Sequence, residues 1–426
     1  MKIAIIGGGL TGISAAKLFT ENKIDFSLFE ASDALGGRVR SDNIDGFIID
    51  RGFQIILDSY QNLKSLININ DLEPCYFESG AMIGSIKNIL ANPIKNPKYI
   101  LNNFLSSSAT LLDKITLLRL ITNSFFSENI GKNSDQRKEI SAQKFLNSYG
   151  FSDKFLNDFF VPFFGGVFLD WNLSVSSRLF EFTFRNFLFG NAFLPKNGMQ
   201  ALPQLISKNV DLNNIFLKTK IISIEKNNNK YCVIDSSNNS CEFDFVIIAT
   251  EHSSSIELIK NYAINSTVEM LSNLKTLSTT CLHYKTKTSP YNEPLLYLNQ
   301  NKEQLFAHLT PITNINPNYS TSKDCLVSVT VKNSDEYALD QLDSILRSEL
   351  KNHFGEQING WDLIDIKKVN YALPYMTKSN LSPWSRTKEV YEKIYIGGDY
   401  TETPSIDGAI KAGVTIASHI IDRVNQ

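Results

Sequence analysis

Gly7, Gly9 and Gly12 have the Gly-x-Gly-x-x-Gly spacing of a loop that sets backbone N–H groups against a pyrophosphate, and a carboxylate, Glu30, stands 18 residues past the last of them. In that pattern Gly7 permits the tight turn, Gly9 lets the backbone approach the phosphates, and Gly12 lets helix and strand pack closely. Leu10 and Thr11 open the helix whose N-terminus carries about half a positive charge. Glu30 is placed to accept a hydrogen bond from an adenosine ribose and to repel a 2′-phosphate. Gly36-Gly37-Arg38 follows. A turn there can return a guanidinium over the pyrophosphate and offset its charge by bidentate hydrogen bonds. NAD has no general need of such an arginine, so the pattern points to FAD.

The elements that must position these groups are legible around them. Lys2–Ile6 is a short apolar run that reads as a strand, residues 10–19 carry apolar side chains at helical spacing, and Phe26–Glu30 reads as a second strand ending in the acid. This is a βαβ opening in register with its loop. The same start imitates a secretory signal, but three glycines split its apolar run and a helix pattern follows, so it reads as mature protein.

The run from Lys2 to Arg40 resembles the FAD-binding start of the flavin amine oxidase superfamily, whose relatives include phytoene and zeta-carotene desaturases, carotenoid isomerases and protoporphyrinogen oxidase. "DGFIIDRGFQIIL" (Asp45 to Leu57), "NGMQALPQLI" (Asn197 to Ile206), "NYALP" (Asn370 to Pro374) and "GGDYTETPSIDGAIKAG" (Gly397 to Gly413) resemble later segments of that family. The resemblance implies that Gly52, Phe53 and Gln54 line the isoalloxazine, and that the backbone of Ile221 meets the adenine. It further implies that Gly398 and Asp399 act on the ribityl and pyrophosphate side, and that Ile406 and Ala409 head a last helix aimed at the pyrimidine end. No cysteine falls near that last motif, so FAD is expected to be held noncovalently.

Two positions depart from the amine oxidase pattern. Ser405 falls where such enzymes often carry an aromatic residue, and Thr280 where many carry a lysine near flavin N5, with Lys275 or Lys285 taking that place in a shifted register. No catalytic side chain is assigned.

The implied fold class is α/β: a Rossmann-like FAD-binding domain assembled from residues 1–70, 196–255 and 385–426, interleaved with an α+β substrate domain from residues 71–195 and 256–384. Within the second piece, "IFLKTKIISIEKNNNKYCVID" alternates as strands about an Asn-rich turn. The first insertion is helical in pattern. Its stretch Thr110 to Phe126 reads first as a packed core helix, with a membrane-facing or tunnel-mouth helix as the alternative. The second insertion alternates strands with a charged amphipathic helix from Asp335 to Phe354.

Phe151 to Phe193 holds 13 of the chain's 28 phenylalanines. They read as core, or as an apolar chamber over the flavin with Gly165-Gly166 admitting close backbone approach.

A net charge of −2 with no basic tract argues against nucleic acid as a partner. Five scattered cysteines suit reduced thiols in a cytoplasm, and neither they nor the five histidines show a metal-binding spacing. No run reaches the roughly 18 apolar residues that span a bilayer, so a membrane would be met only at its periphery. The expected activity is an FAD-dependent oxidoreductase taking a hydride at flavin N5 from a small hydrophobic or amine-bearing molecule. Alternatives that use the same site are a redox-neutral, carotenoid-isomerase-like flavoenzyme and a non-catalytic flavin-bearing carrier of an apolar ligand.

Overall fold

Lys2–Ile6 and Phe245–Ile248 are apolar runs with almost every residue buried, the composition of strands covered on both faces. In the computed structural model, which describes residues 1–92, 95–126, 139–262, 265–377 and 388–425, they lie side by side with Ile3 opposite Phe245 and Ile6 opposite Ile248. They form the middle of a six-stranded sheet in the order Ile215–Phe216, Asp25–Phe29, Lys2–Ile6, Phe245–Ile248, Ile394–Ile396, Lys388–Tyr391. Every pair is parallel except the last. Three stretches far apart in sequence thus build one sheet. The expected boundary at residues 384 and 385 lies outside the described residues.

Helices Leu10–Glu21 and Ile406–Val424 bury Ile13, Phe19, Ile410 and Ile416 in one core with Ile3, Ile5 and Ile247 of the sheet. The two helices approach so closely that a Cβ on Gly413 would lie 2.1 Å from the Thr11 carbonyl oxygen. Thr11 Oγ1 donates to the Ala409 carbonyl at 2.8 Å across the same contact. The first and last helices of the chain therefore act as one element. Nearby, Ile221–Asn227 and Lys230–Asp235 pair antiparallel about an Asn-rich turn in which Asn228 is left-handed, and Ser240–Phe243 adds a third strand.

A second sheet of seven strands runs in the order Asp362–Pro374, Thr276–Thr286, Cys325–Val331, Phe306–Pro311, Leu296–Leu298, Gly80–Ile83, Ile89–Ala91. Its pairs are antiparallel except Leu296–Leu298 against Gly80–Ile83. The first insertion, read as helical, thus supplies the last two strands at one end of this sheet as well, whose three or four residues are too few to show a period. Helix Leu339–Phe354 buries Leu342, Leu346 and Leu350 with this sheet. It begins later than the sequence suggests, because Asp335 sits in a separate turn, Ser334–Glu336, and pairs with Lys368 at 2.6 Å.

The phenylalanine-rich segment folds into helices that include Val161–Phe168 and Ser177–Phe189. Phe160, Phe164 and Phe180 are buried against one another, with the rings of Phe164 and Phe180 4.8 Å apart. Helix Leu111–Phe126 is not the packed core helix expected first. It buries Asp113, Leu120 and Ser124 and leaves Leu111, Leu112, Ile115 and Leu118 exposed.

Candidate active site

One cavity of about 1020 Å³ lies among these elements. At one end the turn after Lys2–Ile6 forms its wall. Gly7 has φ +108°, and a Cβ there would lie 2.7 Å from the Ala249 carbonyl oxygen, so only glycine fits. Gly9, by contrast, has open space where a Cβ would stand, and it heads helix Leu10–Glu21 without any side chain capping the N-terminus. Uncapped N–H groups facing a space free of side chains are what a pyrophosphate requires. Gly12 is not in the wall: a Cβ on it would lie 1.9 Å from the Gly7 oxygen, so it acts by packing.

Glu30 Oε2 accepts from the Gly8 N–H at 2.7 Å and Oε1 from the Ser32 N–H at 2.8 Å, which fixes the carboxylate at the wall with lone pairs to spare. Gly37 lies against Gly9, and the Gly36 N–H donates to the Gly8 carbonyl at 2.8 Å. This places Arg38 at the cavity. Its Nη2 pairs with Asp399 Oδ1 at 2.7 Å and its Nη1 donates to the Ala372 carbonyl at 2.7 Å. Burial alone would lower the Arg38 pKa, but Asp399 outweighs it and holds the charge above its ordinary value. Sequence reasoning aimed the guanidinium at the phosphates; the fold gives it Asp399 as a partner and leaves about a third of the side chain open, 36%.

Asp399 is brought there by the strand Ile394–Ile396 and the turn after it, and Gly398 beside it also lines the cavity. Ser405 lines the wall too, but as the N-cap of the last helix, its Oγ accepting from the Gly408 N–H at 3.0 Å. Ile406 and Ala409 follow in the wall. Asp407 turns away, bonded to Asn62 Nδ2 at 2.7 Å and the Leu63 N–H at 3.0 Å.

Gly52, Phe53 and Gln54 line the middle of the site together with Thr279, Val369 and Leu373 of the seven-stranded sheet. Gln54 Nε2 donates to the carbonyls of Arg38 and Arg51, both at 2.9 Å, tying this loop to the arginine loop. The expected Thr280 is a correction. It is fully buried with its Oγ1 donating to Ser334 Oγ at 2.7 Å, and Thr279 faces Gly52 instead. Successive strand residues point to opposite faces, so a register error of one moves the side chain out of the site. Neither lysine replaces it: Lys275 and Lys285 are not in the wall, and Lys285 pairs with Asp324 at 3.3 Å. Ile221 lines the cavity at the start of its strand.

The rest of the cavity is an apolar arm. Phe159, Phe163, Phe182 and Phe187 form it with Leu117 and Ile121 of the exposed helix and Leu90, Leu179 and Leu188. The aromatic segment thus supplies core and cavity wall together, and the buried Phe164 belongs to both. Gly166 lines the cavity and Gly165 does not; a Cβ on Gly165 would lie 2.7 Å from the Trp171 ring and one on Gly166 1.7 Å from the His308 ring. They admit those two side chains.

His308 was missed by sequence reasoning and lines the arm. Its Nε2 donates to the Pro162 carbonyl at 2.6 Å, and burial lowers its pKa to about 4, so the ring is neutral near neutral pH. No local pattern around His308 signals this, because the contact comes from a helix 146 positions away.

All the other site residues expected from sequence (Gly7, Gly9, Leu10, Thr11, Glu30, Gly37, Arg38, Gly52, Phe53, Gln54, Ile221, Gly398, Asp399, Ile406 and Ala409) share the wall of this one cavity. The chain is also similar to known proteins. A 4,4′-diapolycopen-4-al dehydrogenase of Metabacillus indicus is 36% identical over 97 residues, a stretch covering only 19% of each protein. An oxidoreductase from Methanosarcina mazei has a similar fold, with TM-score 0.76 and 15% identity over 98% of this chain and 100% of that one. Cyclohexylamine oxidase from Brevibacterium oxydans IH-35A has TM-score 0.72 and 15% identity over 100% of this chain and 99% of that one. The flavin-containing amine oxidoreductase family matches residues 10–421. The chain belongs to that family of flavin-containing oxidoreductases.

Proposed function

We propose that this protein removes two electrons from an apolar, uncharged organic molecule held in the phenylalanine-lined arm. The observation that carries the reading is the state of the cavity's carboxylates. Glu30 is held by two backbone N–H groups, Glu78 by Lys98 and Tyr99, Glu251 by the N–H groups of Ser253 and Ser254, Glu257 by Lys260, and Asp399 by Arg38. Glu30 and Glu251 are engaged only by neutral donors and keep their charge, but the side chains that form the arm (Phe159, Phe163, Phe182, Phe187, Leu90, Leu117, Ile121, Leu179 and Leu188) include no carboxylate, so a cationic amine seated among them would lose water without gaining a counter-charge, at a cost of several kcal/mol. An apolar chain meets no such penalty and gains about 25 cal/mol per Å² buried.

Bound FAD would supply the two-electron acceptor at its ring nitrogen N5. Gly7, Gly9, Leu10 and Thr11 would offer backbone N–H groups to the pyrophosphate, with Gly12 packing the loop, Gly37 beside it, and Arg38 held in place by Asp399 and Gly398. Glu30 would accept from the ribose, and the Ile221 backbone would meet the adenine. Gly52, Phe53 and Gln54 would flank the ring, and the helix headed by Ile406 and Ala409 would face its pyrimidine edge with a partial positive charge. The aromatic arm excludes water and aligns the substrate. Attachment is noncovalent in this reading.

The test is anaerobic reduction of the purified yellow protein. A detergent-solubilised polyene or other neutral apolar donor is expected to bleach the flavin absorbance, whereas a diamine such as putrescine does not. Bleaching by the diamine with none by neutral apolar donors would overturn the reading.

A further inference from the structure

Helix Leu111–Phe126 and the shorter helix before it, Ile100–Leu105, are inside out for a protein facing water. Asp113 is the buried side: its carboxylate accepts from the Ser152 N–H at 2.7 Å and from Thr110 Oγ1 at 2.6 Å. The opposite side presents Leu101, Leu105, Leu111, Leu112, Ile115 and Leu118, each more than half exposed. Exposed apolar residues scattered singly need no explanation, but five leucines and an isoleucine on two consecutive helices form the kind of patch that marks an interaction surface. The turn carrying exposed Ile86 and Lys87 is tied to it, since Asn88 bonds both Ser106 and Ser108 at 2.9 Å.

Charge says what covers the patch. Residues 78–126 contain five basic residues (Lys87, Lys95, Lys98, Lys114 and Arg119) against two acids, the buried Asp113 and Glu78, which pairs with Lys98 at 2.5 Å; Lys95 donates to the Gly190 carbonyl at 2.6 Å, and Lys87 and Arg119 stand exposed, in a chain whose net charge is −2. We infer that this face docks on an anionic lipid bilayer, with the two helices lying in the plane of the interface, their leucines among the acyl chains and the basic residues near the headgroups. Among the described residues no helix is long and apolar enough to cross a membrane, so the contact is with one leaflet.

The same helix turns Leu117 and Ile121 into the apolar arm of the cavity. A molecule dissolved in the bilayer therefore passes into the arm along one helix. That last step rests on the proposed function; the docking surface does not.

The experiment is flotation of the full-length FAD-loaded protein with vesicles of phosphatidylcholine alone or mixed with phosphatidylglycerol, beside the triple variant Leu101→Gln, Leu112→Gln, Leu118→Gln. The wild type is expected to float with anionic vesicles, less so as salt is raised, and the variant to bind at least roughly tenfold more weakly for each leucine that inserts. An unchanged flavin spectrum and melting temperature would show that the variant is folded. Three outcomes would overturn the inference: no flotation of the wild type, equal binding to neutral and anionic vesicles, or a wild-type dimer that the variant abolishes, which would make a second copy the occupant. Flotation reads no catalysis, so vesicle binding retained without oxidation of any apolar donor sinks the functional reading alone.

Discussion

Arg38 and Asp399 stand 361 positions apart and share one 2.7 Å ion pair at the cavity wall. Asp399→Ala strands a guanidinium, and Arg38→Ala strands a nearly buried carboxylate. At the ~1.5–3 kcal/mol of a charge-assisted contact, each change is expected to weaken FAD binding roughly ten- to a hundredfold. The double variant should lose less than the sum of the two, since both break the same pair. Fluorescence titration of the apoproteins checks this, and simple additivity would mean that each residue acts on FAD alone. Asp50 offers a pH test. It is buried, accepting from Tyr319 Oη at 2.7 Å and the Met199 N–H at 3.0 Å, and burial still pushes its pKa up to about 6. Between about pH 4 and about pH 6 the folded chain holds a proton that the unfolded chain has released. Stability from this group is therefore present below that window and lost as pH rises through it, on the order of 2–3 kcal/mol. Urea midpoints should show this slope in the wild type and lose it in Asp50→Asn.

At the scale of elements, the contact between the first and last helices is the joint that holds the two glycine turns together. Gly413→Ala would push a methyl group against the Thr11 carbonyl, now 2.1 Å from the Cβ position. Overpacking of this kind costs about 1–3 kcal/mol. Because Thr11 and Ala409 both line the cavity, a lower melting temperature is expected together with weaker FAD binding, both measurable on one preparation. Destabilisation with unchanged FAD affinity would separate the joint from the site. Elements with a clear period or turn chemistry were legible: the strand Lys2–Ile6, the helix that follows it, and the hairpin about Asn228. The strands Gly80–Ile83 and Ile89–Ala91 were not, because their pairing with Leu296–Leu298 and with each other, rather than any local pattern, makes them strands.

Over the whole molecule the cofactor end of the cavity is assembled from three stretches of chain in one sheet, so FAD should stabilise all three at once. At about a hundredfold over its Kd, a ligand that binds only the folded state adds about 2.7 kcal/mol. Ile5, Ile247 and Tyr395 occupy three adjacent strands, with Ile5 opposite Ile247 and Ile247 opposite Tyr395. Hydrogen exchange at these amides is expected to slow together when FAD is added. Protection confined to the first strand would show that the later stretches are not part of the cofactor's cooperative unit.

The sequence by itself determined the cofactor chemistry: glycine spacing, an acid after the second strand, and an arginine loop are local patterns, and local patterns survive without a fold. It also showed an amphipathic stretch at Thr110 to Phe126, because a helical period is a property of neighbouring residues. Tertiary structure decided what periodicity is silent about. Burial of Asp113 against Ser152 set which side of that helix faces water, and pairing of Thr276–Thr286 with Cys325–Val331 set which of Thr279 and Thr280 faces the site. It gave Arg38 its partner and brought His308 into the arm. Each of these depends on contacts between distant stretches, whose energy exists only once the chain has closed on itself.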